Sequence, residues 1–115
     1  MTITASFKVA FNGLWKAFRE QRNLKIHAVC GIAVMLLGFF THLQRWEWCA
    51  VLICIGLVIS AELLNTALET LTDLVSPHYN ELAGKAKDIA AAGVLAASII
   101  SAIVAAIIFI PHFAV

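Results

Sequence analysis

Four polar residues recur along one otherwise apolar stretch of this 115-residue chain. The stretch SAELLNTALETLTDLV, residues 60–75, contains Glu62, Asn65, Glu69 and Asp73 at steps of three, four and four residues. A helix turning about 100° per residue would place them within about 80° of one another, on a single polar stripe. Acids inside a membrane are costly and repel one another without a proton or cation, so they indicate a functional site. The alternative is a polar seam that joins helices.

A second polar cluster follows, HYNELAGKAKD over residues 78–88. Its first residues supply rings and hydrogen-bonding groups, and its last two come just before the next apolar stretch. A lysine beside carboxylates at a membrane surface can neutralise phosphate oxygens, although it can also serve only as a positive anchor. The candidate residues of this cluster are His78, Tyr79, Asn80, Lys87 and Asp88.

Residue types alone leave three classes of chemistry open. Carboxylate and amide oxygens suit magnesium, but the sequence has neither a GxxxxGK[ST] phosphate loop nor the signature set of protein kinases. The clusters permit a metal-assisted phosphoryl transferase, a cation or proton carrier, or an assembly module. Cys30, Cys49 and Cys54 lack CxxC spacing and are interpreted as small apolar residues, not as a disulfide or zinc site.

The elements that must position these residues are membrane helices. Hydrophobic residues make up 62% of the chain and charged residues 13%, with a mean hydropathy of +0.92, whereas soluble domains are about a quarter charged. Irregular backbone cannot face lipid, so each long apolar stretch predicts a spanning helix. The second is expected to end at Ser76-Pro77. The predicted spans run from about Ile26 to Leu43, Trp46 to Val75 and Ile89 to Ile110, with connectors at 42–47 and 76–88.

Residues 1–25 predict a helix of another kind. Apolar residues recur there at three- and four-residue steps among charged ones, the pattern of an amphipathic helix on a membrane surface. The alternative is a helix packed on the protein itself, and both can hold at once. The apolar positions are Phe7, Ala10, Phe11, Leu14, Trp15 and Phe18.

Basic residues predict the orientation. Seven of the eight Lys and Arg residues precede the first span or lie between the second and third, and only Arg45 lies between the first and second. The positive-inside rule therefore places the N-terminus and the 76–88 connector in the cytoplasm. A net charge of +1 gives no electrostatic case for a nucleic-acid partner. We expect one domain over residues 1–115, and an oligomer, because three spans alone are not expected to hide a broad polar stripe.

Together the two clusters resemble the prokaryotic diacylglycerol kinase family, which includes undecaprenol kinases. The matching motifs are E-x-x-N-T-A-x-E-x-x-x-D from Glu62 to Asp73 and A-G-K-A-K-D from Ala83 to Asp88. A weaker match runs from Phe7 through Gly13 to Arg22-Asn23 and His27, so the resemblance covers essentially the whole chain. It implies an integral membrane enzyme of the bacterial cytoplasmic (inner) membrane, a homotrimer with sites shared between neighbouring subunits.

The resemblance also implies roles for individual residues. Glu62 looks like the general base that takes a proton from the lipid hydroxyl, with Asn65 as its polar partner, and Glu69 looks like a magnesium ligand. Nucleotide and phosphate contacts are implied for Asp73, His78, Tyr79, Asn80, Lys87 and Asp88.

One departure from the family pattern concerns the metal. The family has a second metal-binding glutamate at the end of its surface helix, where alignment on Gly13 and Asn23 places Gln21, one residue after Glu20. Glutamine is a poorer cation ligand than a carboxylate, so we expect Glu20 to supply the ligand.

The predicted function is transfer of the γ-phosphate of Mg-ATP to the hydroxyl of a membrane lipid. Asn65-Thr66-Ala67 and Arg22-Asn23 favour the undecaprenol branch of the family. Diacylglycerol is the alternative substrate for the same reaction, and a small proton or cation transporter is the alternative from another class.

Overall fold

Residues 1–114, which the computed structural model describes, form four helices. The last three helices are each long and apolar enough to cross a membrane. The predicted all-α architecture, an N-terminal helix followed by three candidate membrane spans, is thereby confirmed. Most large apolar side chains point outward, where lipid would cover them. The helices are α1 (Ile3–Glu20), α2 (Arg22–Thr41), α3 (Arg45–Val75) and α4 (Glu81–Phe113).

Helix α1 lies against the bundle without being enclosed by it. It begins where the Thr2 hydroxyl accepts a hydrogen bond from the Ala5 N–H at 3.1 Å, and none of its residues is buried. Its apolar side faces a gap of about 420 Å³ that α2 and α3 close from the other side. The amphipathic helix therefore packs partly on the protein itself and leaves much of its apolar surface open.

Helix α2 begins earlier than predicted. The apolar stretch was expected to start near Ile26, but the helix starts at Arg22, directly after the extended residue Gln21. Hydropathy missed this polar first turn because charged residues can continue a helix beyond lipid. The helix ends at Thr41, because His42 adopts a left-handed conformation (φ 57°) and donates its N–H to the Gly38 carbonyl.

Helix α3 begins with a capping box. The Gln44 side chain accepts from the Glu47 N–H, and the Gln44 N–H donates to Glu47 Oε1 at 2.9 Å. The prediction that Glu47 belongs to a connector was wrong: it lies in the first turn and is only 6% exposed. The helix ends at Val75, immediately before Ser76-Pro77, as predicted.

Helix α4 begins eight residues earlier than the predicted Ile89. Asn80 causes this early start, because its side-chain oxygen accepts from the N–H groups of Leu82 and Ala83 at 2.9 and 3.2 Å. The connector is therefore 76–80, and 81–88 is helical. At the other end the helix continues through Pro111 to Phe113, past the predicted Ile110.

Helix α3 is the centre of the molecule. It packs along α4 most extensively and along α2 next, while α1 rests on α2 and α3. The buried apolar core lies near the start of α3 and the end of α4, the Glu47 end of the bundle. The opposite end, where α3 stops and α4 starts, is the Lys87 end. The core residues are Leu43, Val51, Ile108 and Phe109.

Candidate active site

Glu62 is the most deeply buried acid of the polar stripe. Only 2% of its surface is exposed, although it lies within a membrane-spanning helix. Its carboxylate Oε2 lies 3.8 Å from Nε2 of His27 on α2, a contact longer than a hydrogen bond. A carboxylate held in this way can accept a proton from a substrate hydroxyl that reaches it.

Asn65 and Glu69 form the next pair along α3. The Asn65 amide donates from Nδ2 to Glu69 Oε1 at 3.0 Å, while the buried Asn65 Oδ1 has no partner in residues 1–114. Asn65 is 6% exposed. A single chain therefore hides Glu62 and Asn65, and our expectation that a three-span monomer could not do so was wrong for this half of the stripe. Helices α2 and α4 cover that half where they flank α3.

Asp73 completes the stripe at the Lys87 end. Its carboxylate forms an ion pair with the Lys87 ammonium group across the α3–α4 junction. Both side chains are partly exposed, so a ligand can reach either of them. The predicted proximity of Lys87 to the end of the polar stripe is thus observed, and Asp88 is not its ion-pair partner.

The remaining residues of the second cluster lie at the surface. Tyr79 is 92% exposed and borders a depression of about 690 Å³ together with Lys85 and Asp88. His78 is also exposed. Asn80 has a role that the sequence did not suggest, because its side-chain oxygen caps α4. Its part in nucleotide binding remains a prediction, as do those of its neighbours.

The oxygen atoms along α3 fit magnesium only if a substrate completes the site. Glu69 supplies a carboxylate, and the unpartnered Asn65 Oδ1 is a second oxygen next to it. In residues 1–114 no three His, Cys, Asp or Glu residues are grouped to hold a metal. Magnesium commonly uses one or two carboxylates together with phosphate oxygens and water, so these residues suit a nucleotide-bound ion.

The expected second ligand, Glu20, is the exposed last residue of α1. It borders a depression with Lys16 and Arg19. Gln21, which follows it, is half-buried. The role of Glu20 as a metal ligand stays a prediction.

An apolar cleft of about 310 Å³ lies between α2, α3 and α4 and leads to His27. Ser98 and Ser101 contribute its hydroxyl groups, and Ser101 also donates from Oγ to the Cys54 carbonyl at 3.4 Å. Both serines therefore line the cleft, and Ser101 also joins α4 to α3. Spacing could have revealed this face of α2, because His27, Gly31 and Val34 recur at four- and three-residue steps. The other lining residues are Cys30, Val51, Cys54, Ile55, Val58, Ala102, Val104 and Ala105.

Comparison with known proteins identifies the family of the chain. The chain matches the sequence profile described as prokaryotic diacylglycerol kinase over residues 8–109. The chain belongs to the prokaryotic diacylglycerol kinase family. The resemblance seen in its two polar clusters is thereby confirmed, and the chain is a lipid kinase.

Its relatives carry the names of two lipid substrates. It is 41% identical to the undecaprenol kinase of Bacillus subtilis (strain 168) over 106 residues, 92% of this chain and 86% of that protein. It is also 41% identical to the diacylglycerol kinase of Synechocystis sp. over 110 residues, 95% of this chain and 63% of that protein. The diacylglycerol kinase of Haemophilus influenzae is 32% identical over 86% of this chain and 84% of that protein. Identity alone therefore does not separate the two substrates.

Proposed function

We propose that this lipid kinase transfers the γ-phosphate of ATP to the hydroxyl of undecaprenol. The observation that carries this proposal is the placement of Glu62, a buried carboxylate beside the His27 end of the apolar cleft. The apolar lining suits the hydroxyl-bearing end of a lipid hydrocarbon, whose hydroxyl would then lie near a base. Asp73, which pairs with Lys87, lies 11 residues after Glu62 along α3, about 16 Å at 1.5 Å per residue.

The proposed reaction needs little covalent help from the protein. Glu62 takes the proton of the lipid hydroxyl as its oxygen bonds to the γ-phosphorus, and the bond from that phosphorus to the bridging oxygen of ADP breaks. Lys87 offsets negative charge on the phosphate oxygens. Glu69 and the Asn65 amide oxygen would hold magnesium, which supplies further charge neutralisation when it is bound with ATP.

The cleft and the sequence favour undecaprenol over diacylglycerol. A long hydrocarbon with one terminal hydroxyl needs few polar contacts, and the cleft offers only His27, Ser98 and Ser101 apart from its thiols. The undecaprenol kinase relative also aligns over 86% of its own length, against 63% for the equally identical diacylglycerol kinase. Diacylglycerol is the second candidate substrate, because several relatives similar in sequence to this chain are named diacylglycerol kinase.

The cellular setting is part of the same proposal. The excess of basic residues before α2 and near the Lys87 end supports a cytoplasmic N-terminus in the bacterial inner membrane. ATP would then reach the Lys87 end from the cytoplasm. The proposed assembly is a homotrimer, in which a neighbouring subunit brings its own α1 to the site. One domain, residues 1–115, would carry all these functions.

Competition between the two lipids tests the proposal. The chain, purified in detergent, receives labelled ATP, magnesium and equal amounts of undecaprenol and diacylglycerol. We expect undecaprenyl phosphate as the main product, and none from Glu62→Gln, which keeps the side-chain shape without the base. Preference for diacylglycerol would instead assign the enzyme to the diacylglycerol kinase branch of the family. Phosphorylation of neither lipid by folded protein would refute the reaction itself.

A further inference from the structure

His27 is the group that links the apolar cleft to the proposed base. It lines the cleft, whereas Glu62 does not, and its Nε2 lies 3.8 Å from Glu62 Oε2. In residues 1–114 no other Lys, Arg or His nitrogen lies within 4.0 Å of that carboxylate. A substrate hydroxyl leaving the cleft toward Glu62 therefore passes the His27 ring.

A buried carboxylate needs such a partner. Removing an ionised acid from water without a compensating charge is strongly unfavourable, and the acid then takes a proton instead. The hydrogen-bond network gives the Glu62 carboxylate oxygens no backbone or hydroxyl donor in the described residues, so the His27 ring is the group placed to hold this carboxylate.

The helix packing fixes the position of His27. Gly31, four residues along the same face of α2, lies so close to α3 that an added Cβ would be 3.2 Å from Ile55 Cγ2. This contact sets the spacing of the two helices next to the His27–Glu62 pair. From α4 the cleft presents only Ser98 and Ser101 as polar groups, so no other charge competes for the carboxylate from that side.

We propose that His27 is the positioning residue for Glu62, holding its carboxylate in place at the end of the apolar cleft. This inference rests on the proposed role of Glu62 in lipid phosphorylation. It assigns His27 an effect on turnover rather than on affinity, because the ring acts through the base and not through ATP or the lipid chain.

Steady-state kinetics of three variants test this role. His27→Leu removes the partner, and we expect kcat to fall on the order of 10²-fold, the lower end of what a positioned base contributes. KM for ATP and for lipid should stay within about twofold. His27→Gln should restore part of kcat, because its amide N–H can donate to the carboxylate. Cys30→Ala, a change of the cleft lining three residues away, should alter only the lipid KM.

Two results would overturn the inference. One is wild-type kcat in His27→Leu, or in His27→Ala if the leucine variant does not fold. The other is a rise in lipid KM with kcat unchanged, as expected of a residue that only lines the cleft. The wild-type enzyme separates these results from failure of the proposed function, because it must phosphorylate a lipid before either variant can be scored.

Discussion

Lys87 is the residue that we propose contacts the phosphates of ATP. Its ammonium group pairs with Asp73 and stays partly exposed, so phosphate oxygens can join the pair. Hydrogen bonds to charged groups contribute about 1.5–3 kcal/mol, which corresponds to roughly 10- to 100-fold in affinity. Lys87→Met should therefore raise the KM for ATP by about that factor in steady-state assays at saturating lipid. Lys85→Met is the control, since that exposed lysine makes no ion pair in the described residues; equal effects of both would contradict the assignment.

Glu69 allows a direct test of the metal site. Because Glu69→Gln exchanges a carboxylate for a poorer cation ligand, the magnesium concentration for half-maximal activity should rise at least about tenfold. Glu20→Gln, measured alongside it, shows whether the end of α1 contributes. Unchanged magnesium dependence in Glu69→Gln would exclude that residue as a ligand.

At the residue scale, spacing predicted which polar residues share a face of α3 but not which contacts they make. The spacing of Glu62, Asn65 and Glu69 placed them on one stripe, and the structure joins the latter two by a hydrogen bond. The partnership of His27 with Glu62 was not predictable, because the two residues lie on different helices and no periodicity relates them. The capping role of Asn80 was missed because charged residues after it concealed the helix start.

The Glu47 end of the bundle is joined by a pair of residues distant in sequence. His112 Nε2 lies 2.9 Å from Glu47 Oε2, which joins the end of α4 to the start of α3. His112→Leu should lower the thermal midpoint, on the order of 5 °C, and leave kcat unchanged, because the pair lies at the opposite end from Lys87. Arg45→Leu, a change in the same turn of α3 as Glu47, is the control. An unaltered midpoint in His112→Leu would show that the pair contributes nothing to stability.

Gly38 of α2 packs against the side chains of Leu43 and Trp48. An added Cβ there would lie 2.9 Å from Leu43 Cδ1 and 2.9 Å from Trp48 Cη2, so these side chains would have to shift. Gly38→Ala should destabilise the fold by about 1–3 kcal/mol, measured by denaturation in detergent. Gly13→Ala meets open space and should be neutral or slightly stabilising through helix propensity. Similar losses in both variants would mean that the contact at Gly38 is not the cause.

At the element scale, hydropathy predicted the number and kind of helices but not their ends. Both errors at α2 and α4 have one cause: Arg22 and Glu81 begin helical turns that are too polar for lipid. A helix needs backbone hydrogen bonds and caps rather than apolar side chains, so it can extend past the apolar segment. The end of α3 was predictable because proline acts on the backbone itself.

The whole molecule leaves wide apolar flanks around a central α3. One chain encloses Glu62 and Asn65 but leaves Asp73 exposed, and we expect a homotrimer to complete the site. Native mass spectrometry from detergent should give a species three times the 12.5 kDa chain. An active species of single-chain mass would contradict the trimer and show that each chain completes its own site.

The three spanning helices differ greatly in length. Helix α2 has 20 residues, α3 has 31 and α4 has 33, or about 30, 46 and 50 Å at 1.5 Å per residue. Only α2 is close to the bilayer's hydrocarbon thickness of about 30 Å, and Gln21 alone connects it to α1. A thicker bilayer would therefore draw α1 inward, whereas α3 and α4 have length to spare. Bilayer thickness would thus change the position of Glu20 relative to Glu69. Turnover measured in vesicles of increasing acyl-chain length should therefore pass through a maximum.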